Sequence, residues 1–283
     1  MTSEVGYARL SEATFDAIAA LTYRESGLKL VPEKILMVQS RLRHRLRALN
    51  IGDFDHYCDL VKSRRGADER RFMISALTTN VSHFFREPHH FDLLAKQLAS
   101  KLRNSPDSDQ RIRIWSAGCS NGQEPYSIAM HLLCVEPRLA DMDFKILATD
   151  IDPNVIGFAR RGQYSARQSA EIPDEVRGRF LAPHKKGSAA IHIPDEVKAR
   201  VVFHELNLLT QWPMKHAFDA IFCRNVVIYF DIETQCRLWP RFERALKPDG
   251  QFFLGHSERI TDAATYGFKS IGPTAYAKTG TGI

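Results

Sequence analysis

The stretch that most restricts the fold of this chain is residues 111–127, RIRIWSAGCSNGQEPYS. It begins as an apolar, β-favouring run, breaks at Gly118, turns through Gly122 and enters a helix near Glu124 and Pro125. Pro125 suits the first helical turn, because an N–H would have no helical partner there. An open α/β sheet builds a nucleotide-sized pocket from a strand, a glycine turn and a helix in this order. We expect the two glycines to let backbone N–H groups approach a ligand.

The chain after residue 111 alternates between strand and helix patterns, which predicts a parallel sheet with helices on both faces. The predicted strands are residues 111–117, 144–149, 201–205, 218–223 and 251–255, and the predicted helices are 124–133, 153–160 and 234–246. Two short strands near 268–271 and 274–278, joined by Gly272 and Pro273, predict a terminal hairpin with an antiparallel pairing. Residues 163–200 interrupt the alternation and predict an insertion with a helix and a little antiparallel sheet.

Residues 10 to about 78 show the helical spacing of apolar side chains and predict a separate helical domain. One of its helices carries a continuous apolar stripe formed by Ile35, Val38, Leu42, Leu46 and Leu49. Lys34, Arg41 and Arg45 fall on one flank of the same helix. Most basic helix faces are simply solvated. Residues 41–47, however, contain four arginines and no interleaved acid, so we expect an acidic partner for this face.

The composition narrows the class of protein. The net charge of +6 and the isoelectric point of about 9.1 favour an acidic partner, either nucleic acid, an anionic protein surface or anionic lipid, although a soluble enzyme can also be basic. No apolar run approaches the ~20 residues of a membrane helix. The N-terminus lacks the layout of a signal peptide, so we expect a cytoplasmic protein. The five cysteines are scattered, which argues against a disulfide framework or a zinc site.

Residues 78–91, TTNVSHFFREPHHF, combine aromatic and polar side chains at unusual density. We expect the phenylalanines to anchor this segment. We expect the polar side chains of Asn80, Ser82 and Arg86 to face a ligand. The histidines of the segment follow no familiar zinc spacing, so we expect no metal here.

The glycine turn also discriminates between nucleotide ligands. The sequence S-A-G-C-S-N-G is not G-x-G-x-x-G, and no Gly-Lys-Ser/Thr follows it, so a ligand without phosphates fits better. Asp150, at the end of the second strand, is placed to accept hydrogen bonds from two ribose hydroxyls, and Glu124 favours an ammonium group. Ribose and ammonium without phosphate indicate S-adenosylmethionine. Alternatively, Asp150 caps a helix and Glu124 complements a helix dipole. Asn207, Arg224 and Asn225 also follow strands, which supports the ligand interpretation.

Several long strings resemble the bacterial chemoreceptor glutamate methyltransferases, the CheR family. Residues 79–86, TNVSHFFR, are similar to its T-N-x-T-x-F-F-R segment, and residues 115–127 are similar to its W-S-A-G-C-S-T-G-E-E-P-Y-S. Residues 218–230 and 246–258 match closely, and the resemblance covers nearly the whole chain.

The resemblance implies a class I S-adenosylmethionine-dependent methyltransferase fold, which is an α/β Rossmann-like sheet with an antiparallel terminal hairpin. It also implies a small β-subdomain insertion at about 163–200 and an all-α N-terminal domain. The implied domains are residues 1–78 for receptor docking, 79–91 as a linker contributing to the cofactor site, and 92–283 for methyl transfer.

The resemblance also implies roles for individual residues. Positions similar to cofactor contacts in the family are Asn80, Ser82, Arg86, Glu124, Asp150, Asn207, Leu208, Arg224 and Asn225, to which Gly118 is added from the glycine turn. The pairs Asn207-Leu208 and Arg224-Asn225 match adenine-side and methionyl-side contacts. Arg86 and Tyr229 match residues proposed to lie beside the reacting centre. Alternatively, both residues have structural roles: Arg86 forms a salt bridge, and Tyr229 is a half-buried aromatic residue of the core. Ser82 replaces the threonine of the family but keeps its hydroxyl.

The function implied is the transfer of a methyl group from S-adenosylmethionine to glutamate carboxylates of chemoreceptors, with S-adenosylhomocysteine as the product. A glutamate is ionised at neutral pH, with a reference pKa near ~4.3, so no general base is needed. The implied partner is the cytoplasmic, glutamate-rich part of a chemoreceptor, docked on Lys34, Arg41 and Arg45. We expect a monomer without a metal, without nucleic acid and without membrane insertion.

Two rival functions stay open. One is an RNA methyltransferase, or another class I methyltransferase recruited by a basic patch, and the other is a non-catalytic module that binds S-adenosylmethionine. Some family members bind a receptor pentapeptide through a glycine-rich loop of the β-subdomain. The corresponding residues 182–189 contain one glycine, so we expect this chain not to use that tether.

Overall fold

The computed structural model describes residues 9–104, 111–181 and 190–279. The chain divides into two compact units. The first contains Met1–Thr79 and the short segment Tyr229–Asp231, and the second contains Asn80–Ile228 and Ile232–Ile283. Most of the segment expected to be a linker therefore groups with the second unit.

The first unit is helical, as expected. Its helices are α1 (Glu12–Ser26), α2 (Ile35–Leu49), α3 (Phe54–Lys62) and α4 (Ala67–Leu77), with short 3-10 turns at Pro32–Lys34 and Arg64–Gly66. Asp53 caps α3 by accepting a hydrogen bond from the N–H of His56, and α2 ends at Asn50 in the left-handed conformation.

The apolar stripe of α2 forms part of the core of this unit. Val38, Leu42 and Leu46 are fully buried, and each such side chain stabilises the fold by roughly 1.5–3 kcal/mol. Leu49, predicted to continue the stripe, is 38% exposed in the last turn of the helix.

The second unit is built on a seven-stranded sheet. Its strands are β1 (Ile112–Ala117), β2 (Phe144–Asp150), β3 (Gln163–Ser165), β4 (Ala190–His192), β5 (Val201–Glu205), β6 (Phe218–Cys223), β7 (Leu246–Leu254), β8 (Phe268–Gly272) and β9 (Ala275–Lys278). Strands β3 and β4 form a separate antiparallel pair, and the large sheet has the order β5-β2-β1-β6-β7-β9-β8.

Five strands of the large sheet are parallel, and the terminal hairpin β8–β9 pairs antiparallel to β7, as predicted. The strand β6 is buried along its whole length, which is typical of a parallel sheet covered on both faces. The chain runs from β1 through β2 to β5 and then returns to place β6 on the other side of β1. Ligands bind at such a switch point, outside the carboxyl ends of the strands.

The helices of this unit are α5 (His89–Asn104), α6 (Gln123–Val135), α7 (Pro153–Arg161), α8 (Ala166–Ser169), α9 (Asp174–Phe180), α10 (Asp195–Lys198) and α11 (Ile232–Ala245). Helix α5 extends to Asn104. In its described residues, the insertion contains three short helices rather than one, together with the expected antiparallel pair. The loop at 182–189, on which the pentapeptide prediction rests, lies outside the described residues.

Residues 247–250, between the predicted helix and the predicted strand 251–255, lie inside β7 as a bulge. Leu246 pairs with Phe218 and Gln251 pairs with Ala220, so the residues between them leave the ladder. Asp249 in this bulge has a φ of 58°. The pairing of β6 with β7 thus resumes before the two strands reach their carboxyl ends.

Candidate active site

The glycine turn after β1 is closed by bonds within the protein. The N–H groups of Gly118 and Cys119 donate to the carbonyl of Thr149, at 2.7 and 2.9 Å. Both Gly118 and Gly122 have a φ of 86°. A Cβ on Gly118 would lie 2.3 Å from Cγ2 of Val226. The N–H of Gly118 is therefore used within the protein, and packing and backbone conformation require glycine at this position. The approach of other backbone N–H groups to a ligand stays a prediction.

Asp150 is the last residue of β2 and is 7% exposed. Its Oδ2 accepts the N–H of Ser120 at 2.8 Å, and its Oδ1 accepts the N–H of Asp152 at 3.0 Å. Burial raises the pKa of Asp150 to about 6, against the lowering effect of these backbone bonds. The N–H of Ile151 also acts on this carboxylate. A carboxylate offers about four acceptor positions, so part of its capacity is left for ligand hydroxyls.

The segment that begins the second unit is attached to the same turn. The side-chain amide of Asn80 donates to Oδ2 of Asp152 at 2.7 Å, and the carbonyl of Asn80 accepts the hydroxyl of Ser120 at 3.0 Å. Asp152 also caps α7 by accepting the N–H of Asn154. These bonds join Asn80 to Ser120 and Asp152, whose N–H groups donate to Asp150. The contact of Asn80 or Ser82 with a cofactor stays a prediction.

Phe84, Phe85 and Phe91 of this segment are buried, which agrees with the anchoring role expected for them. Its histidines have separate surroundings. His83 lies 2.7 Å from a carboxylate oxygen of Glu171, whereas His90 is fully buried, and burial lowers the pKa of His90 to about 4. Within the described ranges, no group of three or more His, Cys, Asp or Glu side chains is arranged to hold a metal ion.

Glu124 lies in the first turn of α6, directly after the glycine turn. One carboxylate oxygen accepts the hydroxyl of Ser116 at 2.7 Å, and the other lies 3.5 Å from Nη1 of Arg224. Burial raises the pKa of Glu124, and Arg224 opposes this effect. A buried carboxylate in this position can accept further donors, as a ligand ammonium group would supply.

Glu87 was missed by the sequence reasoning and lies at the centre of the charge network. Its Oε2 is 3.5 Å from Nη2 of Arg224 and 3.5 Å from Nδ1 of His90, and its Oε1 accepts the N–H of His256 at 3.1 Å. Burial acts to raise the pKa of Glu87, but Arg224 and the other partners lower it on balance.

The guanidinium of Arg224 therefore lies between two carboxylates, those of Glu87 and Glu124, with its side chain only 2% exposed. It also donates to the carbonyl of Arg86. Arg86 has a half-buried side chain, with its Nε 3.9 Å from Oε1 of Glu87. The position of Glu87 directly after Arg86 was the available sequence signal, but its partners are distant in the chain.

The loop after β6 is held by a second buried carboxylate, that of Glu258, which is 4% exposed. It accepts the N–H groups of Asn225 at 2.7 Å, Gly255 at 2.7 Å and Ile228 at 3.0 Å. Asn225 has a φ of 59°. A Cβ on Gly255 would lie 2.6 Å from Nδ2 of Asn225. Glu258 was visible in a family-like string but received no role from the sequence.

Asn207 and Leu208 follow β5 at the same edge of the sheet. Asn207 closes a local turn, because its side-chain oxygen accepts the N–H of Leu209 at 2.9 Å. Leu208 is buried. The N–H of Leu206 donates to the carbonyl of Asp150 at 2.9 Å, which aligns this loop with the end of β2. Adenine contact by these residues stays a prediction.

Tyr229 groups with the first unit, where its carbonyl accepts the N–H of Lys29 at 3.1 Å. In the same unit, the hydroxyl of Tyr23 donates to Asp231 at 2.5 Å. The catalytic role of Tyr229 stays a prediction.

The basic flank of α2 is only partly available to a partner. Lys34 is exposed, whereas Arg41 donates to the carbonyls of Leu77 and Thr78, each at 2.8 Å. Arg45 forms a two-pronged pair with Glu69 of α4, at 2.9 and 2.6 Å. The stretch 41–47 contains no acid, but Glu69 of another helix already pairs with Arg45. Their docking role stays a prediction.

No helix in the parts of the chain that the structure describes combines the length and apolarity needed to span a membrane.

Comparison with known families identifies both units. The family model described as the SAM binding domain of CheR methyltransferase matches residues 80–277. The model described as the all-alpha domain of CheR methyltransferase matches residues 13–78.

Individual relatives match over nearly their whole length. A probable chemotaxis protein methyltransferase of Rhizobium etli is 44% identical over 264 residues, which cover 93% of this chain and 98% of that protein. Chemotaxis protein methyltransferase 2 of Pseudomonas aeruginosa is 40% identical over 268 residues, covering 93% and 92%. The chemotaxis protein methyltransferase of Escherichia coli is 40% identical over 270 residues, covering 95% and 91%.

Proposed function

The chain belongs to the CheR methyltransferase family, and we propose that it methylates glutamate side chains of chemoreceptors with S-adenosylmethionine as the methyl donor. The product would be a glutamate methyl ester, made in chemotaxis adaptation. The activity proposed is that of a protein-glutamate O-methyltransferase.

The observation that carries this proposal is the pair of carboxylates beside the glycine turn, one buried and one largely buried. Asp150 keeps acceptor capacity beyond its backbone bonds, which suits ribose hydroxyls. Glu124, opposed by Arg224, suits the methionyl ammonium. The ten residues proposed to bind the cofactor are Asn80, Ser82, Arg86, Gly118, Glu124, Asp150, Asn207, Leu208, Arg224 and Asn225.

The chemistry requires positioning rather than proton transfer. S-adenosylmethionine supplies a methyl group on a sulfonium. One oxygen of the ionised glutamate forms the new O–CH₃ bond while the CH₃–S bond breaks, and its electron pair stays on sulfur. The residues must remove water from the carboxylate and hold it in line with the breaking bond. We assign this task to Arg86, with a hydrogen bond from Tyr229.

The proposed partner is the cytoplasmic, glutamate-rich part of a transmembrane chemoreceptor, so the protein would act in the cytoplasm. Lys34 offers an exposed cation to acidic helices, and Arg41 and Arg45 extend this face. The protein would act as a monomer, without a metal and without nucleic acid.

The decisive experiment is the transfer of a labelled methyl group to candidate receptors, followed by mild alkaline treatment of the product. A glutamate methyl ester releases its label as methanol, whereas an N-methyl product retains it. The Asp150→Ala variant serves as the inactive control. Alkali-stable label on the receptor would contradict the proposal, and label on added RNA instead of receptor would favour the RNA methyltransferase alternative.

A further inference from the structure

The loop after β5 is shaped locally and joined to the end of β2 by the Leu206 N–H, and it has a further support from outside. The carbonyl of Asn207 accepts both the N–H and the hydroxyl of Thr210, at 3.2 and 2.9 Å. Together with the bond from Asn207 to Leu209, these contacts determine the shape of the turn. They do not determine where the turn lies relative to the sheet.

Arg241 of α11 supplies that support from outside the loop. Its Nη1 donates to the carbonyl of Leu208 at 2.7 Å, and its Nη2 donates to the carbonyl of Thr210. Its guanidinium lies 4.1 Å from the ring centroid of Trp212, whose indole N–H donates to the same Leu208 carbonyl at 3.1 Å. We call Arg241 and Trp212 the Arg241–Trp212 clamp. Both acceptor positions of the Leu208 carbonyl are occupied by the clamp.

The clamp is anchored in the aromatic core rather than at the surface. The Trp212 ring packs edge-on against Trp115, with centroids 4.8 Å apart, and lies 5.0 Å from Phe242. Trp115 is fully buried and donates its indole N–H to the hydroxyl of Thr149 at 2.9 Å. The carbonyl of Thr149 in turn accepts the N–H groups of the glycine turn. Buried side chains therefore connect the Asn207–Leu208 loop to the glycine turn.

We propose that Arg241 is a positioning residue that sets the Asn207–Leu208 loop against the adenine of the cofactor and thereby determines selectivity for the base. This inference rests on the proposed function, because the adenine contact of Leu208 belongs to it. Lysine in place of Arg241 keeps the charge but loses the planar fork that reaches two carbonyls and stacks on indole. An Arg241 that only stabilises the fold would instead weaken every ligand alike.

The test compares two product analogues by calorimetry, S-adenosylhomocysteine and S-inosylhomocysteine, which differ in the base. In Arg241→Lys, we expect the Kd of S-adenosylhomocysteine to rise about tenfold, the size of one lost charge-assisted hydrogen bond. The preference for the adenosyl over the inosyl compound should shrink about fivefold, and kcat at saturating S-adenosylmethionine should stay unchanged. Arg244→Lys, an exposed arginine of the same helix, serves as the matched control.

Two results would overturn the inference. One is an equal loss of affinity for both analogues, and the other is unchanged affinity for S-adenosylhomocysteine. If Arg241→Lys does not fold, Trp212→Phe decides, because it removes the indole donor to Leu208 and reduces the ring on which Arg241 stacks. An unchanged base preference there would also overturn the inference. Failure of the proposed function would appear differently, as a wild-type protein that binds neither analogue or transfers no methyl group to receptors.

Discussion

Removing the carboxylate of Asp150 should nearly abolish cofactor binding. The two ligand hydrogen bonds proposed for it are charge-assisted, and each contributes about 1.5–3 kcal/mol. Asp150→Ala should therefore weaken binding by about 3–6 kcal/mol, or roughly 10²- to 10⁴-fold in Kd. Asp150→Asn should also bind weakly, because its amide group would face the backbone N–H of Ser120 or Asp152.

Acidification should produce the same loss in the unchanged protein. Burial favours the neutral form of Asp150 and raises its pKa to about 6, whereas the ligand hydroxyls require the ionised form. Affinity should therefore fall as the pH drops through 6, by about tenfold at pH 5 relative to pH 8 from this group. Folding depends on this group in the opposite sense. The raised pKa contributes stability below the unfolded value near ~3.9, and that contribution is lost as the pH rises through 6.

Isothermal titration with S-adenosylmethionine at pH 5, 6, 7 and 8 measures both effects. The matched control is Asp141→Ala, which removes an exposed carboxylate that precedes β2. Near-normal affinity of Asp150→Ala would refute the ribose assignment. An affinity that does not change between pH 5 and pH 8 would refute the role given to the ionised carboxylate.

Three further perturbations test other parts of the molecule. Glu258→Gln should place an amide donor against a buried backbone N–H. The free energy of unfolding should fall by about 1–3 kcal/mol, and the rate of methyl transfer should fall with it. An unchanged urea midpoint and an unchanged rate would contradict this. Gly122→Ala should destabilise the fold by about 1–3 kcal/mol, because φ is 86° and the new Cβ would lie 2.7 Å from that of Ala159; a wild-type melting temperature would count against it. Lys34→Glu should raise the KM for receptor severalfold and leave cofactor affinity intact. Arg45→Glu would be a poorer test of docking, because it also breaks the pair with Glu69. An unaltered KM in Lys34→Glu would argue against docking on this face.

Local patterns in the sequence were sufficient for most elements of the fold. The alternation of strand and helix periods predicted the five parallel strands and the terminal hairpin, since each period is set by neighbours in the chain. The cap at Asp53 and the helix end at Asn50 also depend on adjacent residues alone. The insertion was recognised as irregular, but its short helices were not counted correctly, because four-residue helices carry little periodic signal.

The candidate site was predicted in part for the same reason. Asp150 and Asn207 follow predicted strands, and the carboxyl ends of parallel strands share one edge of a sheet, so their proximity could be inferred. Glu87 and Glu258 could not be assigned, because their roles depend on Arg224 and Asn225, which reach them only once β6 lies beside β1 and β7.

The stretch at residues 111–127 shows most clearly what each level of information decides. The sequence by itself determined a strand, a tight turn and a helix, together with acids whose types suit a ribose and an ammonium. Only the tertiary structure decided that Gly118 makes room for Val226 and that Glu124 faces Arg224. The physical reason is the distance along the chain over which each interaction acts. Backbone conformation follows from adjacent residues, whereas close packing and charge pairing depend on distant segments that the sheet brings together.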